Sequence, residues 1–233
     1  MGFLFHFLRF FGDILFPRPE LVRRLEAMSS REILAAVAVA GTIENLAANP
    51  PGRFFALFKY SDPLTKQIVW EIKYRANKKL AGAIGVLIYE KLSKIMLDRK
   101  FSGADNLDSS VILIPIPASL RRLRLRGFNQ TELIARAVME NAKTDTSSFS
   151  YHPNILIKTK NTPAQSSLTS RASRLSNLHG VFVLKDVDSA EVMRGKNIIL
   201  IDDVITTGAT MKEAVEVLTC AGAKSVIGVA IAH

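Results

Sequence analysis

From Val111 to the C-terminus, short runs of apolar, β-branched residues alternate with longer stretches in which apolar positions recur every three or four residues. VILIPIP, ILIKTK, HGVFVL, IILID and SVIGVAIA have the length and composition of strands, while NQTELIARAVMENA and MKEAVEVL have the spacing of amphipathic helices. Strands that alternate with helices predict an α/β domain with a mainly parallel sheet flanked by helices. Right-handed crossovers would bring the carboxyl ends of these strands, and the loops that follow them, to one rim.

The first half of the chain is organised differently. Glu20 to Leu46 shows helical recurrence in LVRRLEAM and REILAAVAVAGTIENLA, with Ser29 or Ser30 available to cap a helix start. The breaker cluster Asn49-Pro50-Pro51-Gly52 then separates an N-terminal helical appendage, 1–49, from a domain over 50–233 whose core is 111–233. RFFALFKYSD reads as a short strand or turn, and Asp62-Pro63 opens a long helical region. A break in its polar, basic middle, Tyr74 to Lys79, predicts two helices with Lys73, Arg75, Lys78 and Lys79 near the junction.

Composition narrows the chemistry. With 233 residues and 48% hydrophobic content the chain can bury one good core plus an appendage. Cys220 is the single cysteine, which excludes an internal disulfide and fits a reducing cytoplasm. His6, His152, His179 and His233 share no ligand spacing, so a protein-built transition-metal site is not expected and any metal should arrive with a substrate. The excess of 31 Lys and Arg over 21 Asp and Glu, a net charge of +10, attracts phosphorylated ligands, nucleic acid or anionic lipid without choosing among them. No apolar stretch has the length of a membrane span, and no signal peptide is evident. The segment GFLFHFLRFFGDILF holds six phenylalanines and only Arg9 and Asp13 as charges. A peripheral membrane contact by 3–16 would call for a polar face rich in Lys and Arg, so a docked helix or partner contact is the preferred reading.

The densest chemistry lies in IILIDDVITTGATM, residues 198–211. A buried strand delivers two acids, Asp202 and Asp203, and a Thr/Gly turn then opens onto a helix. Such a turn offers backbone N–H groups and hydroxyls at the positive end of a helix, where a phosphate binds well. The acids are placed to accept hydrogen bonds from vicinal ribose hydroxyls, directly or through Mg²⁺-bound water. No Walker phosphate loop and no Gly-x-Gly-x-x-Gly occur. Residues 115–130, PIPASLRRLRLRGFNQ, add Arg121, Arg122, Arg124 and Arg126 within six positions, on several faces of any helix. Guanidinium groups suit bidentate contacts to phosphate, and Pro115 and Pro117 would fix a turn that presents the N–H groups of Ala118 and Ser119. A third loop, NTPAQSSLTSRASRLSN over 161–177, is long and polar in the manner of a lid, with Gln165, Arg171, Arg174 and Asn177 able to close over a ligand.

The apolar strand, paired acids and Thr-Thr-Gly-x-Thr turn resemble the phosphoribosyl pyrophosphate (PRPP) motif of type I phosphoribosyltransferases. With FGDILFPRP, KYR, PIPASLRRLRLRGFNQTELIARA and TPAQSSL, the chain resembles the ComF branch of competence-associated proteins over most of its length. This resemblance implies the type I phosphoribosyltransferase fold. It implies pyrophosphate binding by Pro117, Ala118, Ser119, Arg122 and Arg126, and 5′-phosphate binding by Thr206, Thr207, Gly208, Ala209 and Thr210. Asp202 and Asp203 would be the catalytic acids, holding ribose or Mg²⁺. The expected reaction is displacement of pyrophosphate from Mg²⁺-PRPP by a nitrogen acceptor. ComF proteins typically carry an N-terminal zinc ribbon, whereas here Phe16-Pro17 is followed by Arg18-Pro19-Glu20 and no cysteine precedes Cys220, so no zinc is expected. Thr206 occupies the place of the purine-facing aspartate of hypoxanthine-guanine enzymes, and the lysine-rich lid of orotate enzymes is missing, which disfavours both acceptors. The alternative function is a non-catalytic PRPP- or nucleic-acid-binding module assisting DNA uptake or nucleotide regulation. Single-stranded DNA is a partner to weigh, although the phenylalanines concentrate near the N-terminus instead of interleaving with the basic loop. A homodimer also remains open.

Overall fold

The computed structural model describes residues 20–37, 43–44, 52–97, 111–142, 149–159 and 180–233. Helices α1 (Glu20–Ala27) and α2 (Ser30–Val37) come first, followed by strands β1 (Ile43–Glu44) and β2 (Gly52–Phe58). Helices α3 (Pro63–Arg75) and α4 (Lys78–Leu97) lead to β3 (Val111–Pro115), α5 (Leu120–Arg126), α6 (Gln130–Ala142) and β4 (Phe149–Tyr151). Strands β5 (Leu156–Lys158) and β6 (Phe182–Leu184), helix α7 (Val187–Met193), β7 (Asn197–Val204), α8 (Ala209–Cys220) and β8 (Ser225–Ala232) complete the order.

Six strands form one sheet in the order β1-β2-β8-β7-β3-β4, parallel except for the antiparallel edge strand β1. The predicted α/β class, a mainly parallel sheet flanked by helices, is the one observed. The interior strands β3 and β7 are buried along their length up to the half-buried Val204 that ends β7, as strands covered on both faces must be. Leu25, Ile33, Ile68, Ile72, Ile84, Ile88, Ile134 and Val138 from α1, α2, α3, α4 and α6 join Ile199 and Ile201 in one apolar cluster. Met193, Met211, Ala214 and Leu218 of α7 and α8 join Ile198 and Leu200 in the other. Neighbouring residues of β7 therefore face opposite layers, as the period of two in a strand requires.

Two expectations are corrected. ILIKTK and HGVFVL do form strands, but β5 and β6 pair antiparallel in a separate two-stranded ribbon, with Leu156 opposite Leu184 and Lys158 opposite Phe182. Helical recurrence predicted a helix through Leu46, yet Ile43 and Glu44 are a strand beside Ala56 and Phe55, since pairing with the edge of β2 satisfies backbone groups there. RFFALFKYSD, left between strand and turn, supplies β2, and Phe149–Tyr151 is a strand that periodicity did not reveal because it is three residues long.

Local chemistry explains the helix boundaries. Ser29 caps α2 in a reciprocal box: its Oγ accepts from the Glu32 N–H, and its own N–H donates to Glu32 Oε2 at 2.7 Å. Asp62 caps α3 by accepting from the Thr65 N–H at 2.8 Å, with Pro63 in the first turn. The predicted break falls at Ala76, which takes the left-handed conformation with φ 50°, and Asn77, whose Oδ1 accepts from the Leu80 N–H to start α4. At Gly85 the backbone of α6 comes so near that a Cβ would lie 2.6 Å from the Ala137 carbonyl carbon. Among the described residues no helix is long and apolar enough to cross a membrane. The N-terminal Phe-rich segment lies outside the described residues.

Candidate ribose-phosphate site

The site stands at the rim where the parallel strands end. Strand β7 carries Asp202 and Asp203 to that rim, still paired with β8 through Asp202 opposite Ala230 and Val204 opposite Ala232. The chain then turns through Ile205 to Gly208 and enters α8. Gly208 at the N-cap has φ 73°, a left-handed backbone that a side chain resists, and no side chain caps α8. The first N–H groups of α8 and its positive dipole end therefore open on the turn, although Thr207 Oγ1 approaches the Ala209 N–H at 3.4 Å.

Of the residues expected at a 5′-phosphate, Thr206, Gly208 and Thr210 line one small pocket together with Asp202 and Met211. Thr207 and Ala209 do not line it; Ala209 is packed into the apolar cluster under α8. The pocket thus joins an acid to the Thr/Gly turn at the start of α8.

The two acids have different surroundings because they face opposite layers. Asp203 turns toward α3 and α6, where Lys73 Nζ lies 3.2 Å from its Oδ2 and Gln130 Nε2 donates to the same oxygen at 3.2 Å. Its Oδ1 accepts from the Val204 N–H at 2.8 Å. Asp202 lines the cavity instead, and its Oδ1 accepts from the Asp203 N–H at 2.8 Å. Burial, reinforced by the charge of Asp203, pushes the Asp202 carboxyl up to about 8. Burial also pushes Asp203 upward, but the Lys73 ammonium and its hydrogen bond outweigh that effect and hold Asp203 below the usual carboxylate range. The pair shares roughly one negative charge at neutral pH.

The basic loop folds back onto this acid pair. Ser119 caps α5 by accepting from the Arg122 N–H at 3.4 Å, so part of the segment predicted as a loop is a seven-residue helix. Asn129 Nδ2 and Thr131 Oγ1 both donate to the Ile116 carbonyl, at 3.2 and 2.6 Å, tying RGFNQT to the turn that contains Pro117 and Ala118. Arg126 Nη1 donates to Gln130 Oε1 at 3.1 Å, completing a path Arg126–Gln130–Asp203–Lys73. Arg122 and the ribbon's Lys158 lie near enough for their charges to oppose. Burial, then Arg122, holds the Lys158 ammonium below its ordinary range, while Asp202 and Glu213 act the other way. Glu213, on α8, accepts from the Val181 N–H and from the Phe182 N–H at 3.3 Å, fastening the ribbon to that helix. Gln165, Arg171, Arg174 and Asn177 lie outside the described residues.

Sequence reasoning missed the roles of Lys73 and Gln130. Lys73 drew notice only as a basic residue near a helix break, and nothing in its spacing points to an acid 130 positions away. One aromatic of α3 also meets the basic loop, with the Arg126 guanidinium 4.8 Å from the Tyr74 ring centre.

Among the described residues no three His, Cys, Asp or Glu side chains gather as a metal cage. Mg²⁺ is commonly held by one or two carboxylates plus substrate oxygens and water, and Asp202, buried and repelled by its neighbour, is a carboxyl that a cation would stabilise in its ionised form.

Residues 126–233 match the phosphoribosyl transferase domain family. The competence protein ComFC of Bacillus subtilis (strain 168) is 32% identical over 163 residues, 70% of this chain and 56% of ComFC. The DNA utilization protein YhgH of Escherichia coli O157:H7 is 27% identical over 177 residues, 76% of this chain and 70% of YhgH. The chain thus spans little more than half the length of ComFC. A solved glutamine PRPP amidotransferase from B. subtilis aligns with a TM-score of 0.38 and 16% identity over 69% of this chain and 30% of that one, too distant to add weight. The matched domain contains the acid pair and the phosphate turn, and together with the two relatives it makes this a ComF-like chain, similar to the competence and DNA utilization proteins and carrying a phosphoribosyltransferase-type domain.

Proposed function

We propose that this protein binds Mg²⁺-PRPP at the rim of β7 and transfers the phosphoribosyl group to a nitrogen acceptor with release of pyrophosphate. The observation that carries the reading is the cavity in which Asp202 faces Thr206, Gly208 and Thr210 at the uncapped start of α8. The α8 N–H groups and threonine hydroxyls would hold the 5′-phosphate, and Asp202 would accept from the ribose hydroxyls. Asp203 acts through position: fixed by Lys73 and Gln130, it sets the backbone that aims Asp202. Arg122 and Arg126, with the turn at Pro117 to Ser119, would take the pyrophosphate. Asp202 and Asp203 would be the carboxylates that hold Mg²⁺, directly or through water, and the ion would screen the pyrophosphate charge. Prealigned reactants and preorganised donors on the departing group supply the rate, so no protein nucleophile is needed. The lid residues Gln165, Arg171, Arg174 and Asn177 would exclude water. We place the reaction in the cytoplasm, where PRPP would be available and Cys220 would stay reduced.

Calorimetric titration with Mg²⁺-PRPP tests the ligand: wild type should bind with micromolar affinity and Asp202→Asn should lose at least tenfold. Equal affinities would remove the ligand assignment. Pyrophosphate release measured against a panel of bases and amines tests the reaction. The names of the relatives, a competence protein and a DNA utilization protein, favour a second reading in which PRPP is bound without transfer in a module that assists DNA handling. Intact PRPP binding with no release for any acceptor would select it.

A further inference from the structure

The Thr/Gly turn leaves the sheet beside the end of β8, where β7 pairs with it as far as Val204 opposite Ala232. That end is anchored on both sides. Toward β2, the His233 N–H donates to the Phe58 carbonyl at 3.1 Å, and the His233 carbonyl accepts from the Tyr60 N–H at 2.7 Å. Toward the turn, the Ile205 N–H donates to the Ala232 carbonyl at 2.9 Å, which carries the β7–β8 pairing one residue into the turn. The Ile205 carbonyl then lies 2.8 Å from His233 Nδ1. A carbonyl oxygen only accepts, so this ring nitrogen carries the proton and donates. The Ile205 side chain is buried in the apolar cluster under α8. Ile205 is thus held at its N–H, its side chain and its carbonyl, and the carbonyl is held by a side chain of another strand's end.

We propose that His233 is a positioning residue for the 5′-phosphate turn: its Nδ1–H fixes the Ile205–Thr206 peptide so that an N–H, and not a carbonyl oxygen, meets the phosphate. A trans peptide points its carbonyl and the next residue's N–H in opposite directions. Holding the Ile205 carbonyl against His233 therefore turns the Thr206 N–H the other way. Thr206 lines the pocket with Asp202, Gly208 and Thr210, whereas His233 does not, so His233 acts through the turn and touches no ligand. Backbone N–H groups bind an anion while they converge on it. A flipped Ile205–Thr206 peptide would replace one of these donors by an oxygen that repels a phosphate dianion. Gly208 supplies the bend of the turn and the start of α8 supplies its dipole, but neither sets the orientation of this peptide. The inference rests on the reading of the turn as a 5′-phosphate site and adds to it the residue that keeps the empty turn in its binding shape.

The full chain is titrated calorimetrically with Mg²⁺-PRPP and, separately, with Mg²⁺-pyrophosphate, which has no 5′-phosphate. His233→Leu keeps bulk at the end of β8 and removes the donor. It should weaken Mg²⁺-PRPP about 2- to 12-fold, the range of one net hydrogen bond, and leave Mg²⁺-pyrophosphate unchanged. His233→Asn places an amide N–H where the ring Nδ1–H stood and should restore PRPP affinity to within about twofold of wild type. Nitrogen-15 NMR at alkaline pH, with the His233 signal assigned by its loss in His233→Leu, should show the neutral ring as the Nδ1–H tautomer. Unchanged PRPP affinity in the leucine variant, equal losses for PRPP and pyrophosphate, no recovery with asparagine, or an Nε2–H tautomer would overturn the proposal. Equal losses are what a general defect of the fold would give. Should the leucine variant melt below the assay temperature, the tautomer and the asparagine variant still decide. Wild type that binds Mg²⁺-pyrophosphate but gains nothing from the ribose 5-phosphate half of PRPP would overturn the phosphate-site reading, and this inference with it. Wild type that gains affinity which His233→Leu retains in full would overturn this inference alone.

Discussion

Replacing Lys73 by Met removes the cation opposite Asp203 while keeping most of the side-chain volume. At the observed 3.2 Å separation the gross attraction is about 5 kcal/mol for an effective dielectric constant of about 20. Stripping one partner from a buried pair commonly costs about 3–5 kcal/mol. Protonation sets a ceiling on part of that cost. Without Lys73, Asp203 can become neutral, and neutralising a carboxyl whose unfolded value is near 3.8 costs about 1.36 kcal/mol per pH unit above it. That part of the cost is therefore at most about 4 kcal/mol at pH 7 and about 2 kcal/mol at pH 5, and the stability that the pair contributes in wild type is lost as well. Part returns because a neutral Asp203 no longer repels Asp202. The expected destabilisation is about 3 kcal/mol at pH 7, smaller at pH 5 and smallest at pH 4, where what remains is the stability that the lowered Asp203 value contributes in wild type. The sign follows from linkage: in wild type the lowered Asp203 value contributes stability above pH 3.8, whereas in the variant a raised value takes stability away over that range. Urea unfolding of both proteins at these three pH values measures it. Lys73→Met with Asp203→Asn, which leaves no buried charge and keeps an acceptor for Gln130, should recover most of the loss. A pH-independent penalty, or one below about 0.5 kcal/mol at pH 7, would refute the assignment of Asp203 to Lys73.

Other residues of the site and its supports give further expectations. Asp202 has a folded value of about 8 against 3.8 unfolded, so it contributes stability below pH 4 that is lost as pH rises toward 8. Asp202→Asn should flatten that decline, which denaturation curves at pH 5 and pH 8 would show. Since Asp202 is largely protonated in the free protein at pH 7, Mg²⁺-PRPP binding should release close to one proton, read as a dependence of binding heat on buffer ionisation enthalpy. Glu213→Ala would leave the buried Val181 and Phe182 N–H groups without their acceptor and should destabilise by about 2–4 kcal/mol, with the thermal midpoint as readout. Gly85→Ala would drive a methyl group into the backbone of α6, which cannot rotate aside, and should cost at least about 2 kcal/mol in urea unfolding.

Much of the site was legible in the residue order because its ligand-facing part is local. Asp202, Thr206, Gly208 and Thr210 lie within nine positions, and a strand followed by a Thr/Gly turn and a helix places them together whatever surrounds them. The parallel core was legible for a similar reason: fully apolar strands such as those at Ile112 and Ile199 demand cover on both faces, and helices with an apolar stripe supply it. The antiparallel ribbon was not, since three-residue strands carry no signal of their direction.

The sequence by itself determined the fold class and the phosphate turn, because both rest on periodicity and on backbone chemistry within a few residues. Only the tertiary structure decided how the acids divide their roles. Adjacent residues of a strand point to opposite faces, so the layer packed on each side chose Lys73 and Gln130 for Asp203 and the open cavity for Asp202. The same packing set Tyr74 beside Arg126, a neighbourhood that a separation of more than fifty positions cannot announce.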